Sequence, residues 1–147
     1  GKGHVWEGGI RVPTFARWPG TIPPGVTTTQ VATTLDWTAT MLAAAGAAAV
    51  HRSSLDGIDL LPLLAGGTTR ERTIFWRMGR ERQGAVRSGG WKFIRDGEQE
   101  YLFDLVLDPG ERNDLKAQRA DLFHRLKAEY DAWDSEMLPL SPRPGGG

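Results

Sequence analysis

Apolar side chains recur at Leu122, Leu126, Tyr130, Trp133 and Met137, in steps of four and three. That spacing puts them on one stripe of an amphipathic helix running over about residues 117–136. Upstream, the runs at residues 73–78, 85–88, 91–95 and 101–105 read as short strands. Gly89-Gly90 and Asp96-Gly97 separate the later runs and read as hairpin turns. Consecutive strands joined by tight turns predict an antiparallel meander, closed by Asp108-Pro109-Gly110. The helix stripe needs a partner, and one face of the meander is the expected one.

The first half of the chain is less periodic. Residues 12–18 read as a short strand whose Pro13 suits its entry, and Pro19-Gly20 stops it. A loop punctuated by Pro23-Pro24-Gly25 follows. Asp36 is the expected N-cap of a helix through Trp37, Met41 and Leu42 to Gly46, the residue type that commonly ends one. So few charges interrupt this helix that it is expected to lie against other structure on most sides. Asp56-Gly57 marks a turn, and residues 60–64 form a short apolar segment ending at Gly66-Gly67. No internal repeat is present, and the glycine- and proline-rich end of the chain has the composition of a disordered tail.

At 147 residues the chain suits one domain, able to bury roughly 70% of its unfolded surface. Eighteen basic and eighteen acidic residues cancel, which argues against nucleic acid as a partner. The charges are segregated, basic over residues 70–95 and acidic over 96–142, which predicts that the two stretches pair in the fold. No cysteine is present, so disulfides, thiolate metal sites and a cysteine nucleophile are excluded. No apolar run reaches the roughly eighteen residues of a membrane span, and no signal sequence opens the chain, which leaves the compartment open.

The chemistry concentrates in Gly1-Lys2-Gly3-His4-Val5-Trp6-Glu7-Gly8-Gly9-Ile10-Arg11-Val12-Pro13. Glycines let the backbone approach a ligand closely, and Lys2 and His4 are the polar groups there that suit an anion. A phosphate loop does not fit, because that motif requires Gly-Lys-Ser/Thr opening a helix and Lys2 is followed by Gly3. His4, His51 and His124 lack metal-ligand spacing, and Asp56 and Asp59 flank a turn where solvated or capping roles are commoner. His124 is expected at the surface or rim of the last helix. Of the six tryptophans, Trp18, Trp76, Trp91 and Trp133 fall in predicted elements and read as core, whereas Trp6 is a candidate pocket wall. Glu7 and Arg11 read as an ion pair bracing the loop. Such a segment would fray at a free N-terminus, so the sequence is expected to begin partway through a larger protein.

The opening block, then Trp18-Pro19-Gly20, Leu35-Asp36, Leu55-Asp56-Gly57-Ile58-Asp59-Leu60, Trp91-Lys92-Phe93, and Tyr101-Leu102-Phe103-Asp104-Leu105 before Asp108-Pro109-Gly110-Glu111-Arg112-Asn113-Asp114, together resemble the type I sulfatase family. The resemblance implies an α+β chain: the edge of a large α/β sulfatase domain over residues 1–69, a C-terminal four-stranded antiparallel sheet packed by a helix over 70–138, and a tail over 139–147. It also implies hydrolysis of sulfate esters by a formylglycine nucleophile, with calcium as the cofactor. Lys2 matches the family's sulfate-binding lysine, and His4 and Trp6 flank it as substrate-pocket residues. The nucleophile motif Cys/Ser-x-Pro-x-Arg is absent, Ser141-Pro142-Arg143 lacking its spacing, as are the carboxylate and amide ligands of the metal. The chain is therefore expected to be inactive alone, to need the missing N-terminal part, and to expose apolar surface. The alternatives are a non-catalytic remnant that binds sulfated glycans or a partner protein, and a phosphoesterase of the same superfamily.

Overall fold

The computed structural model describes residues 3–47, 55–79 and 82–139. In chain order the elements are α1 (Glu7–Ile10), α2 (Thr34–Ala44), α3 (Leu61–Leu64), β1 (Thr73–Met78), β2 (Gln83–Ser88), β3 (Trp91–Asp96), β4 (Gln99–Asp104) and α4 (Ala120–Glu136). They fall into two compact units: Thr14–Arg70, and the described residues before Thr14 together with those from Glu71 onward.

The sheet is a four-stranded antiparallel meander in the order β1-β2-β3-β4. Gly89 and Gly97 occupy its last two turns at φ 58° and 60°, a region that favours glycine. Strand alternation sorts the side chains onto two faces. On one face Val86, Phe93 and Leu102 sit side by side across β2, β3 and β4 and receive Leu122, Leu126 and Tyr130 of α4. Phe123 joins that core beside the expected stripe, Trp133 stacks on Phe75 with centroids 5.0 Å apart, and His124 stays exposed. Gly84 admits the helix: a Cβ there would lie 1.9 Å from the Tyr130 hydroxyl.

The segregated charges meet at this junction. Arg77 of β1 lies 2.9 Å from Asp134, and Arg95 of β3 lies 2.8 Å from both Glu100 and Asp131. Lys127 also bonds Glu100. Burial pushes the Glu100 carboxyl up, but the hydrogen bonds and charges of Lys127 and Arg95 outweigh it and hold the group below the usual carboxylate range. A depressed folded pKa contributes stability that is complete above the unfolded value, about 4.3, and is lost as pH falls through the lower folded value. Denaturant midpoints should therefore drop on acidification below about pH 4.3, and less so in Glu100→Gln.

The Thr14–Arg70 unit is organised on Asp36. Thr33 is the N-cap of α2 and Asp36 stands three residues later, where its Oδ2 accepts the Thr33 N–H at 2.6 Å. Its Oδ1 accepts the Ile58 N–H at 2.8 Å, and Thr40 Oγ1 accepts that of Leu60 at 2.9 Å. The Asp36 carboxylate, fully buried, thus ties the 55–60 block to the first turn of α2. Gly57 permits the approach, since a Cβ there would lie 2.2 Å from the Leu35 carbonyl oxygen. At the far end Gly46, at φ 71°, and Ala47 donate to Ala43 and Leu42, closing the helix with a left-handed cap.

Two expectations change here. Residues 12–18 form no strand, because extended backbone becomes a strand only against a ladder partner; Phe15 is 92% exposed and Val12 73%. Helix α2 buries only Asp36, Ala39 and Thr40, and leaves Leu35 and Met41 exposed. No described helix is long and apolar enough to cross a membrane.

Candidate functional site

The second face of the sheet carries Ala85, Ile94 and Phe103, and residues 4–7 dock upon it. Val5, fully buried, joins this cluster together with Leu105, and Trp6, Trp76, Met78 and Tyr101 pack around it. The two glycines after Glu7 sit in the single turn α1, whose Gly9 and Ile10 N–H groups both donate to the Trp6 carbonyl.

Glu7 is the anchor. Its side chain is only 6% exposed, and its Oε1 accepts from Lys92 Nζ at 2.8 Å. Lys92, the second residue of β3 and fully buried, also donates to Glu111 Oε1 at 2.8 Å. Glu111 completes the circuit, its Oε2 accepting the Glu7 backbone N–H at 2.6 Å. That N–H belongs to the first turn of α1 and has no intrahelical partner, so the carboxylate both caps the turn and pairs with the ammonium. The remaining Glu7 oxygen, Oε2, lies 3.9 Å from Arg87 and 4.0 Å from Arg11 and accepts no hydrogen bond among the described residues. The expected Glu7–Arg11 pair is thus the outermost contact of a cluster centred on Lys92. Burial lowers the Arg87 guanidinium pKa, against the raising charge of Glu7.

The Asp108-Pro109-Gly110-Glu111 turn exists to deliver Glu111. Asp108 Oδ2 accepts the N–H groups of Arg112 at 2.7 Å and Asn113 at 2.8 Å. The Asn113 bond, then that of Arg112, hold the Asp108 carboxyl below its ordinary range. Glu111 itself adopts φ 53°, a left-handed conformation that non-glycine residues seldom take and that here aims its carboxylate at Lys92.

Beside this cluster Trp6 and His4 meet the outer ends of β2 and β3. Trp6 Nε1 donates to Asp96 Oδ2 at 3.0 Å, and its ring tilts against Tyr101 and Phe103 at 5.2 and 5.6 Å. His4 Nδ1 lies 3.2 Å from Gln83 Nε2. Thus the fold brings together two of the residues singled out from the sequence, and half-buries both. Lys2 lies outside the described residues, as do His51 and Ser141-Pro142-Arg143. Asp59 accepts the Leu61 N–H at 2.9 Å, in the first turn of α3.

Sequence reasoning missed Lys92, Glu111 and Gln83. A signal for Lys92 was available: β3 alternation places it on the face of Ile94, where a charge must be paired if the face is covered. Among the described residues no group of three or more His, Asp or Glu side chains is placed to hold a metal ion. The described residues therefore do not fit a calcium site, and no chemistry is assigned to calcium.

Residues 1–135 match the family model described as N-sulphoglucosamine sulphohydrolase, C-terminal. The chain belongs to the type I sulfatase family, in its C-terminal portion. It is 37% identical to arylsulfatase A of Bos taurus over a gapped alignment of 170 positions, which covers 90% of this chain and 33% of the relative. It is 31% identical to the steryl-sulfatase of Mus musculus over a gapped alignment of 179 positions, which covers 98% of this chain and 28% of that protein. The chain thus spans about a third of the length of these curated relatives. Among solved structures, Ps i-CgsB in complex with k-i-k-neocarrahexaose superposes with a TM-score of 0.69 at 25% identity, over 79% of this chain and 27% of that one. The sulfatase C-terminal region thus has the α+β form described above, a four-stranded antiparallel sheet packed by a helix.

Proposed function

We propose that this chain supplies a sulfuric ester hydrolase with its sulfate-contacting lysine, Lys2, carried on a glycine-rich segment that the C-terminal sheet holds in place. The observation that carries this reading is the buried Glu7–Lys92–Glu111 cluster, which binds that segment five residues beyond Lys2. Gly3, at φ 99°, lies between Lys2 and the docked residues and takes a conformation that other residues rarely adopt.

In this role the Lys2 ammonium neutralises a sulfate oxygen of the bound ester. It then stabilises the negative charge that grows on the ester oxygen as the sulfur–oxygen bond breaks. His4 contributes a second polar contact, and Trp6, backed by Tyr101 and Phe103, forms a wall of the substrate pocket. Chemistry requires a nucleophile, and the 147 residues contain no Cys/Ser-x-Pro-x-Arg sequence to provide the formylglycine of the family. Incubated with calcium and an aryl sulfate, the chain should release no more phenol than Lys2→Ala does. Turnover well above that control would overturn the assignment by revealing another nucleophile.

A non-catalytic binder of sulfated glycans would need the basic residues of 70–95 to be free. Arg77 faces Asp134, Arg87 and Lys92 face Glu7, and Arg95 faces Glu100 and Asp131. These four are committed within the fold, which favours the hydrolase reading.

A further inference from the structure

The two edges of the sheet differ in what meets them. In an antiparallel ladder every second residue turns its N–H and C=O away from the neighbouring strand. On β4 those outward groups are taken. Leu102 accepts from the Leu115 N–H at 2.8 Å and donates to Asp114 Oδ1 at 3.1 Å, Lys116 Nζ donates to the Glu100 carbonyl at 2.8 Å, and the Asp108 N–H donates to the Asp104 carbonyl at 2.8 Å. The segment after β4 therefore seals that edge. At β1 the Gly89 N–H reaches the Arg72 carbonyl at 3.5 Å, which fixes the parity of the β1–β2 ladder. Ile74, Trp76 and Met78 bond β2, whereas Thr73, Phe75 and Arg77 turn their backbone groups outward, where nothing bonds them among the described residues.

No device guards this open edge. Thr73–Met78 contains no proline, no lysine and no bulge, the usual obstacles to strand addition. Its one charge, Arg77, is drawn back onto Asp134 at 2.9 Å and onto the Leu138 carbonyl at 2.9 Å. The second contact holds Leu138, 88% exposed, close to the open strand.

We propose that β1 is an interaction surface for a second copy of this chain, the two β1 strands pairing antiparallel about a twofold axis at Phe75. Self-complementarity selects this partner. With Phe75 opposite the partner's Phe75, all the outward groups are used, and Thr73 stands opposite the partner's Arg77. Ile74 then stands opposite the partner's Trp76 on the other face, a β-branched and aromatic pair of the kind that stabilises sheets. No like charges meet. The sealed edge at β4 sets the stoichiometry, because a sheet with one open edge pairs once and closes as a dimer instead of growing into a filament.

Thr73 is the position to test, since it is exposed and faces the one charge across the seam. Sedimentation of the 147-residue chain from micromolar to millimolar concentration should show a monomer–dimer equilibrium. Thr73→Glu, which meets the partner's Arg77 with the opposite charge at both ends of the seam, should tighten it, and Thr73→Lys should weaken it, each by roughly 2- to 30-fold. Amide hydrogen exchange locates the contact: the N–H groups of Phe75 and Arg77 should exchange more slowly as concentration rises, and that of the exposed Phe15 should not. A chain that stays monomeric throughout, or one that grows past the dimer, overturns the proposal. So does association that leaves the Phe75 and Arg77 amides at their dilute rates, which would place the contact on another surface. Equal affinity in Thr73→Glu and Thr73→Lys overturns it as well.

Discussion

Replacing Lys92 with methionine should destabilise the protein by about 3–5 kcal/mol, the cost of leaving buried charges without their partner. Methionine keeps most of the apolar stem and removes the ammonium that Glu7 and Glu111 each meet at 2.8 Å. The two carboxylates, 6% and 4% exposed, would then face each other, with Arg87 at 3.9 Å and Arg11 at 4.0 Å from Glu7. Neither distance is that of a hydrogen bond. The loss has a second signature: Glu7→Gln and Glu111→Gln added to Lys92→Met should recover most of the stability, because removing all three charges removes the desolvation problem with the attraction. Urea denaturation of the single and triple variants measures both effects. A single variant within 1 kcal/mol of wild type, or a triple variant no better than the single, would show that the cluster does not hold the segment.

That cluster also marks the limit of what could be read from the sequence. The meander was legible because short strand-forming runs and glycine turns are local, and the register pairs Val86, Phe93 and Leu102 as one face. The helix stripe was legible for the same reason, down to Leu122, Leu126 and Tyr130. Strand β2 begins two residues earlier than expected because Gln83 is polar; its pairing with Asp96 and the Val5 N–H is tertiary, and no propensity announces it. Asp36 was expected at the N-cap, where aspartate is favoured, but Thr33 competes for that position and the carboxylate serves better from the third helical residue. Residues 12–18 have an apolar pattern that is the same whether or not a neighbouring strand exists.

The opening segment was noticed for its glycines, its lysine and its histidine, but most of what holds it could not be read from the sequence. Glu7 reaches Lys92 across 85 positions and Lys92 reaches Glu111 across 19, separations that no periodicity records. The family resemblance contained Glu111 within its Asp-Pro-Gly-Glu block without giving it a task. In the structure that task is to cap the Glu7 turn and to pair with Lys92, which links the C-terminal sheet to the segment that carries Lys2.

Titration of the nitrogen-15-labelled chain with inorganic sulfate, followed through the backbone amides at constant ionic strength, tests the central claim most directly. Constant ionic strength matters because general screening would otherwise shift every exposed charge. The account predicts saturable shifts confined to the opening segment, at Gly3, His4 and their neighbours, and their loss in Lys2→Ala. It predicts in addition that the Trp6 indole N–H remains in place in that variant, because its partner is Asp96. Shifts of equal size in the wild-type chain and in Lys2→Ala, or none in either, would contradict it.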